Sequence, residues 1–453
     1  MITVLKFGGT SVGSAEALKR VAKIITEEEG SKVVVVSAMS GVTNFLVNVI
    51  EDKNVKMNEV FKTFYDKHID VAKQLFDEKQ LKDFMKEFDM RFNDFKTLLS
   101  DKTAREDPFF KDNVTSQGER FSSLLLAHEM SSIGFRSVAL TSEQAGIAAI
   151  GRPLSGSCDL AKTAVGLTMN VRPLLHDDVI PVITGFYGIN EEGKPLTFGR
   201  GGSDYAAAAI GNAIDADSVE IWTDVDGFMS ADPRVVPDAV SIDEMNFSEA
   251  AELAHFGAKV LHPRTVEPVR MKHITLKVKN SYRPEHPGTI IHHLRKPRDE
   301  ILRSVAMKVD LSIITVSSGE IAYKPIMVAH IIEKLAEVDV MVYAISTSLS
   351  TVALLIHNLD VKKTLKSLNT MDNSDIERID VKSNVALICA VGDSLLDKHG
   401  FSGDIFGAVK EANANVEMIS EGASDVSLNF VVPTDSAIEV VKTLHRKFIS
   451  GGA

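Results

Sequence analysis

The chain has 453 residues, which at roughly 150 residues per domain suggests about three domains. Apolar residues make up 44% and charged residues 25%, which rules out wholesale disorder. The formal net charge of −12 argues against a general binder of nucleic acid or anionic membrane, although a local basic cleft stays open. Two cysteines, Cys158 and Cys389, stand far apart with no partner motif, which argues against a disulfide scaffold or a cysteine zinc site. The opening Met1-Ile2-Thr3-Val4-Leu5-Lys6 lacks the basic start and apolar core of a signal peptide. No apolar run approaches the roughly 18 residues of a membrane span. A soluble cytoplasmic protein is the expectation.

In chain order, residues 2–7 read as a strand ending at Gly8-Gly9, and residues 14–29 as a helix. The run Lys32-Val33-Val34-Val35-Val36-Ser37 is β-branched, as in strands buried on both faces of a parallel sheet. Strand, helix, strand is a βαβ unit. Residues 56–100 contain no Gly or Pro, and Phe61, Phe64, Phe84, Phe88, Phe92 and Phe95 recur at helical spacing. This predicts an all-helical insertion whose lysines, alternating with acids, form a solvated face.

Strands are expected over 138–140, 179–183 and 218–222, with helices over 159–175, 203–213 and 248–256. The result is an α/β domain with an open, mostly parallel sheet spanning 1–293. Residues 294–299 are charged, contain Pro297 and read as a linker. The tail repeats itself: a helix at 327–337 with strands 340–348 and 352–356, then a helix at 403–412 with strands 416–424 and 426–432. Two modules are expected, 301–375 and 383–453, with an interlock in which the final residues complete the sheet of the first.

Three glycine-rich or acidic turns carry chemistry. Lys6-Phe7-Gly8-Gly9-Thr10-Ser11 lies at a strand end before a helix, where backbone N–H groups can approach a phosphate. A Gly-Gly pair there is also an ordinary turn, and the lysine precedes the glycines, unlike a Walker A loop. Gly199-Arg200-Gly201-Gly202-Ser203-Asp204 opens an alanine-rich helix, and Arg200 suits a bidentate contact to a carboxylate or phosphate. Asp204 is also a dipole-favoured first-turn acid. Trp222-Thr223-Asp224-Val225-Asp226-Gly227 sits just past a strand, where α/β sheets bind ligands, and Asp232-Pro233-Arg234 follows.

Together these motifs resemble the aspartate kinases of the amino-acid kinase superfamily. Ser37-Ala38-Met39-Ser40-Gly41-Val42-Thr43-Asn44, Gly118-Glu119, and Glu252-Leu253-Ala254 through Gly257-Ala258-Lys259-Val260-Leu261-His262-Pro263 extend the match. The tail resembles the family's paired ACT modules. The resemblance implies a carbamate-kinase-like catalytic fold followed by two ferredoxin-like ACT modules. It also implies transfer of the ATP γ-phosphoryl to the side-chain carboxylate of L-aspartate. A carboxylate nucleophile needs no general base, so catalysis rests on positioning and charge neutralisation.

By the same resemblance Lys6 would neutralise the transferring phosphoryl, assisted by the Gly8 and Gly9 N–H groups, and Asp204 would hold the lysine. Arg200 would take the substrate's α-carboxylate and Glu119 its α-ammonium, with Thr43, Phe186 and Ser203 beside them. Lys6, Gly9, Ser11, Thr223, Asp224, Met229, Arg234 and Lys259 match the nucleotide side. Mg2+ would ride on the phosphates, so no protein-only metal cluster is expected. His262 reads as structural and His292-His293 as a polar strand end.

Lysine-sensitive relatives carry an aspartate after valine in the first ACT module, where this chain has Val342-Tyr343. Lysine is therefore disfavoured as an effector, since an ammonium buried without an anion is costly. Relatives pair these modules across subunits, which implies a homodimer or larger homo-oligomer. The chain's end soon after the second module leaves no expectation of an appended homoserine dehydrogenase domain. Two other readings stay open. One is a different amino-acid kinase, acting on glutamate, acetylglutamate or UMP. The other is a non-catalytic amino-acid sensor.

Overall fold

The computed structural model describes residues 1–52, 54–257, 260–294, 302–319, 321–371, 376–393, 395–397, 399–422 and 424–449. The chain divides into two compact units. The first comprises Met1–Phe228, Asp243–Phe247 and Val260–Leu294. The described residues of the second fall within Met229–Ile242, Ser248–Lys259 and Arg295–Ala453. Among the described residues no helix is long and apolar enough to cross a membrane.

The first unit is built on an eight-stranded sheet. In spatial order its strands are Glu244–Asn246, Thr289–His292, Thr275–Asn280, Ser218–Thr223, Ile2–Phe7, Ser31–Val36, Ile180–Thr184 and Ser137–Leu140. The central pairings are parallel, and only Thr275–Asn280 with Thr289–His292 is antiparallel. Val33 to Val36 are fully buried, as expected of a strand covered on both faces. The register aligns Phe7 with Val36 and Trp222, and Val36 with Thr184, so these strands end at one rim. Ala15–Glu27 follows the first strand as a helix because the Ser14 hydroxyl caps the Ala17 N–H at 3.2 Å and Leu18, Val21, Ala22 and Ile25 share its buried face.

The insertion is two helices, Met57–Leu75 and Glu78–Ser100, broken where Asp77 and Gln80 form a capping box. Phe64, Phe84, Phe88, Phe92 and Phe95 join Phe121 in one aromatic core. Helices not expected from the sequence include Val42–Glu51, Phe110–Thr115 and Gln117–Ser132. The helix expected over 159–175 is two, Leu160–Asn170 and Arg172–His176, with Pro173 opening the second.

The second unit is a six-stranded antiparallel sheet in the order Val342–Thr347, Thr351–His357, Ser304–Ser317, Arg378–Val391, Ser427–Pro433, Met418–Ser420. The two central strands, each 14 residues long, serve both modules. Residues 311–317 pair with 351–357, whereas 304–308 pair with 387–391, beside Ser427–Pro433. The interlock therefore differs from the expected one. The residues that open the tail complete the sheet of the second module, and the chain's last described stretch is instead a helix, Thr434–Phe448.

The first unit also does not run unbroken to residue 293. Ala231 and Val236 are buried in the apolar cluster of Val305, Ile388, Phe401 and Phe430, which draws 229–242 into the second unit. The expected linker residues 295–299, the module edges at 301 and 375, and residues 450–453 lie outside the described residues.

Phe88 is fully buried, stacks on Phe92 and packs edge-on or tilted against Phe84, Tyr65 and Phe121. Phe88→Ala is expected to destabilise the first unit by about 3–5 kcal/mol. Urea unfolding would read this as a lower midpoint at unchanged slope.

Candidate active site

The rim where the central strands end collects the sequence-predicted residues of the first unit. Lys6 is the penultimate residue of the central strand and is only 7% exposed. Its ammonium lies 2.5 Å from Asp204 Oδ1. Asp204 stands in the first turn of the helix Gly202–Ala213, where the helix dipole favours a negative charge. The ion pair thus ties the central strand to the start of that helix.

Backbone bonds hold the rim loops together. The Gly8 N–H donates to the Trp222 carbonyl at 3.1 Å and the Ser37 N–H to the Phe7 carbonyl at 3.1 Å. The Gly185 N–H donates to the Val36 carbonyl at 2.9 Å. This corrects one expectation: the Gly8 N–H is already engaged by the neighbouring strand, so it is not open to a phosphate. Gly9 lies against the loop after the next strand, where a Cβ would stand 2.8 Å from the Ala38 carbonyl.

Glu119 is 2% exposed, and its Oε1 accepts the Ala38 N–H at 3.0 Å. Its Oε2 is buried and makes no hydrogen bond among the described residues. Burial pushes its carboxyl up to about 8, against the opposing pull of the Ala38 N–H, Lys6 and Arg120. The approach depends on Gly118, where a Cβ would sit 2.5 Å from that of Ala38.

Gly201 caps the helix Gly202–Ala213 at φ 64°, and a Cβ there would fall 2.2 Å from that of His262. Glycine is required on both counts. Behind it, Ser203 is buried against Gly185, and Phe186, at φ 75°, packs on Gly202. Thr43 is half-buried in the first turn of Val42–Glu51. Arg200 is exposed at the tip of the glycine loop. Lys6 thus stands at the end of the central strand, Phe186 and Arg200 lie on loops, and Glu119, Ser203 and Asp204 stand in the first turns of helices.

On the other flank the Ser11 and Ser281 hydroxyls lie 2.8 Å apart. Thr223 donates to Asp224 Oδ1 at 3.2 Å, and Asp224 is exposed. Asp226 is held by Asn280 at 2.7 Å and by Arg283. Met229 and Arg234 fall in the second unit, where exposed Arg234 forms a two-pronged pair with half-buried Asp232. Lys259 lies outside the described residues. His262 caps a short 3-10 turn through Nδ1, His292 pairs with Glu244, and His293 stacks on His273 at 4.6 Å.

Sequence reasoning passed over two features. Lys279 lies 4.4 Å over the Trp222 ring, whose N–H donates to buried Glu220 at 3.0 Å. The signal was the alternation of Lys277 and Lys279 on one strand face, opposite an acid inside a central strand. The other is Asp112, a fully buried carboxylate considered further below.

The amino acid kinase family profile matches residues 1–280 and an ACT domain profile matches 388–448. Lysine-sensitive aspartokinase 3 of Escherichia coli is 32% identical over 98% of both chains. The chain belongs to the aspartokinase branch of the amino acid kinase family. Aspartokinase 1 of Arabidopsis thaliana is 30% identical over 99% of this chain and 80% of its own length. The structure of E. coli aspartokinase III in complex with aspartate and ADP superposes with a TM-score of 0.85 at 29% identity, covering 98% of this chain and 99% of that one. The same aspartokinase in complex with lysine and aspartate gives 0.82 at 30% identity, covering 99% of both.

Glu119 keeps its proton to about 8 in the folded protein but releases it near 4.5 when unfolded. The unfolded chain binds fewer protons across that window, so stability falls as pH rises through it. Glu119→Gln is expected to flatten the fall. Urea midpoints at the two ends of the window check it.

Proposed function

We propose that this aspartokinase transfers the γ-phosphoryl of ATP to the side-chain carboxylate of L-aspartate, giving 4-phospho-L-aspartate and ADP. A carboxylate oxygen forms the new O–P bond as the bond between the γ-phosphorus and the ADP oxygen breaks. The nucleophile is already ionised, so the protein has only to align two anions and screen their repulsion. The buried Lys6–Asp204 pair carries this reading. An ammonium fixed at the strand end is available to the moving phosphoryl, while Asp204 keeps it oriented. The Gly9 N–H lies on the same turn and takes the donor role expected of both glycines.

Arg200, exposed between the left-handed Gly199 and Gly201, takes the substrate's α-carboxylate. Glu119 takes the α-ammonium. Its buried Oε2 is the acceptor such a cation needs, and the cation would favour the ionised carboxylate. Thr43, Phe186 and Ser203 complete the substrate side. Ser11, Thr223 and Asp224 serve the nucleotide, and Mg2+ would ride on its phosphates and supply neutralising charge there. The product enters amino-acid biosynthesis as an activated acyl phosphate. A silent sensor has no use for a buried Lys6–Asp204 pair at this rim.

The ACT modules take an amino-acid effector and pair subunits into a homodimer or larger assembly. Lysine fits the first module poorly. Tyr343 replaces the acid, and the Lys308 ammonium already lies 4.6 Å over its ring. A second ammonium there meets like charge.

Aspartyl-hydroxamate formation with ATP, Mg2+ and L-aspartate tests the reaction. Product is expected to depend on aspartate and to fall by at least about a hundred-fold in Lys6→Ala, the scale of losing one charge-stabilising group. Product independent of aspartate overturns the assignment. In the same assay, lysine at about 1 mM is expected to leave the rate within about two-fold, corresponding to effector binding weaker than about −4 kcal/mol. Micromolar inhibition that Tyr343→Ala abolishes would sink the effector argument.

A further inference from the structure

The loop that carries Arg200 is free at its tip and pinned at its base. The tip runs through Gly199 at φ 75° and Gly201 at φ 64°, and Arg200 between them is exposed. The base is Thr197-Phe198. Asp112 Oδ1 accepts both the Thr197 N–H and the Thr197 hydroxyl, each at 2.7 Å. Both oxygens of the same carboxylate also accept the Leu154 N–H, at 3.0 and 3.1 Å. Leu154 holds a left-handed φ of 63°, unusual for a branched aliphatic residue, at the turn between the strands Ala149–Arg152 and Ser155–Cys158. Its carbonyl faces Gly199, where a Cβ would stand 3.7 Å away.

On the next residue, the Phe198 carbonyl accepts Arg264 Nη1 at 3.0 Å, and Arg264 Nη2 reaches the Gly156 carbonyl at 2.9 Å. A buried anion and a cation therefore cross-link the same hairpin to the same loop base, one residue apart.

A fully buried carboxylate that meets no lysine or arginine through these bonds is costly to keep. A hydrophobic residue could fill the space. Only an acceptor set can hold a hydroxyl and two N–H groups from two segments at once. We propose that Asp112 is a positioning residue for Arg200: by fixing Thr197 and Leu154 it sets where the guanidinium stands to receive the amino-acid substrate's α-carboxylate. The proposal rests on the reading of Arg200 as that carboxylate's partner. Asp112 itself does not touch substrate. It acts three residues upstream of the arginine, through the backbone of Thr197.

The test is steady-state kinetics of the full chain for Asp112→Asn, Thr197→Val, Arg200→Ala and the two double variants that add Arg200→Ala. Asparagine keeps one acceptor oxygen but turns an amide N–H toward donors. Valine removes the hydroxyl arm alone and leaves the Thr197 N–H in place, so it carries the test if Asp112→Asn does not fold. Asp112→Asn is expected to raise the KM for aspartate about ten-fold and Thr197→Val about three-fold, with the KM for ATP within about two-fold of wild type. On the Arg200→Ala background each is expected to add less than about two-fold, because the lost geometry then has nothing left to orient.

Losses that multiply fully in the double variants overturn the proposal, as does an equal rise in both KM values or a fall in kcat alone. An Arg200→Ala protein with unchanged KM for aspartate instead overturns the reading of Arg200, and the proposal with it. The two failures are thereby distinguished.

Discussion

The ion pair between Lys6 and Asp204 is the constraint around which the catalytic unit is arranged. An ammonium inside a sheet rim is unfavourable unless an anion meets it, and a buried carboxylate is unfavourable without a cation. Each group makes the other tolerable, and together they hold an ammonium at the end of the central strand. Because Lys6 lies on the central strand and Asp204 on a helix nearly two hundred residues later, the pair also sets the register between those elements. The Gly8–Trp222 and Gly185–Val36 backbone bonds extend the same rim to the flanking strands.

Close approach of backbone is the second requirement, and glycine meets it at two places. Gly118 lets a helix start reach the loop at Ala38, which delivers Glu119 into a buried position where its carboxyl is held neutral well above the usual glutamate range. Gly201 turns the chain left-handed beneath His262 and opens the helix that carries Asp204. Polar groups anchor these turns from below. Asp112 and Arg264 each make several hydrogen bonds and leave the loop tip unencumbered. An exposed arginine gains from that division: a rigid base limits how much backbone must be ordered, and the tip leaves the guanidinium open to a ligand.

The second unit uses a different device. Two 14-residue strands run through both ACT modules, so neither module has a complete sheet without the other's strand. Residues 229–242 belong to this unit through Ala231 and Val236, and the Ser230 hydroxyl meets His445 on the last helix at 2.8 Å. A stretch within the kinase family match is thus structurally part of the unit that carries the ACT fold.

Much of this was legible in the linear sequence. The run Val33–Val36 announced a doubly covered strand, the phenylalanine spacing over 56–100 announced helices, and the glycine turns marked the rim. In each case local periodicity or backbone chemistry carries the information, since burial and dihedral needs repeat within a few residues. The ligand side of Arg200 and Glu119 came from family resemblance alone. What tertiary structure decided are contacts with no local signature. Asp112 meets partners 42 and 85 residues away. The Gly8 N–H is taken by a strand more than two hundred residues on. The helix Val42–Glu51 begins inside a loop-like motif, and the module interlock depends on how two long strands share their pairing. A sequence determines which residues seek burial and which turns need glycine; which distant donor satisfies a buried carboxylate is settled only when the chain has closed around it.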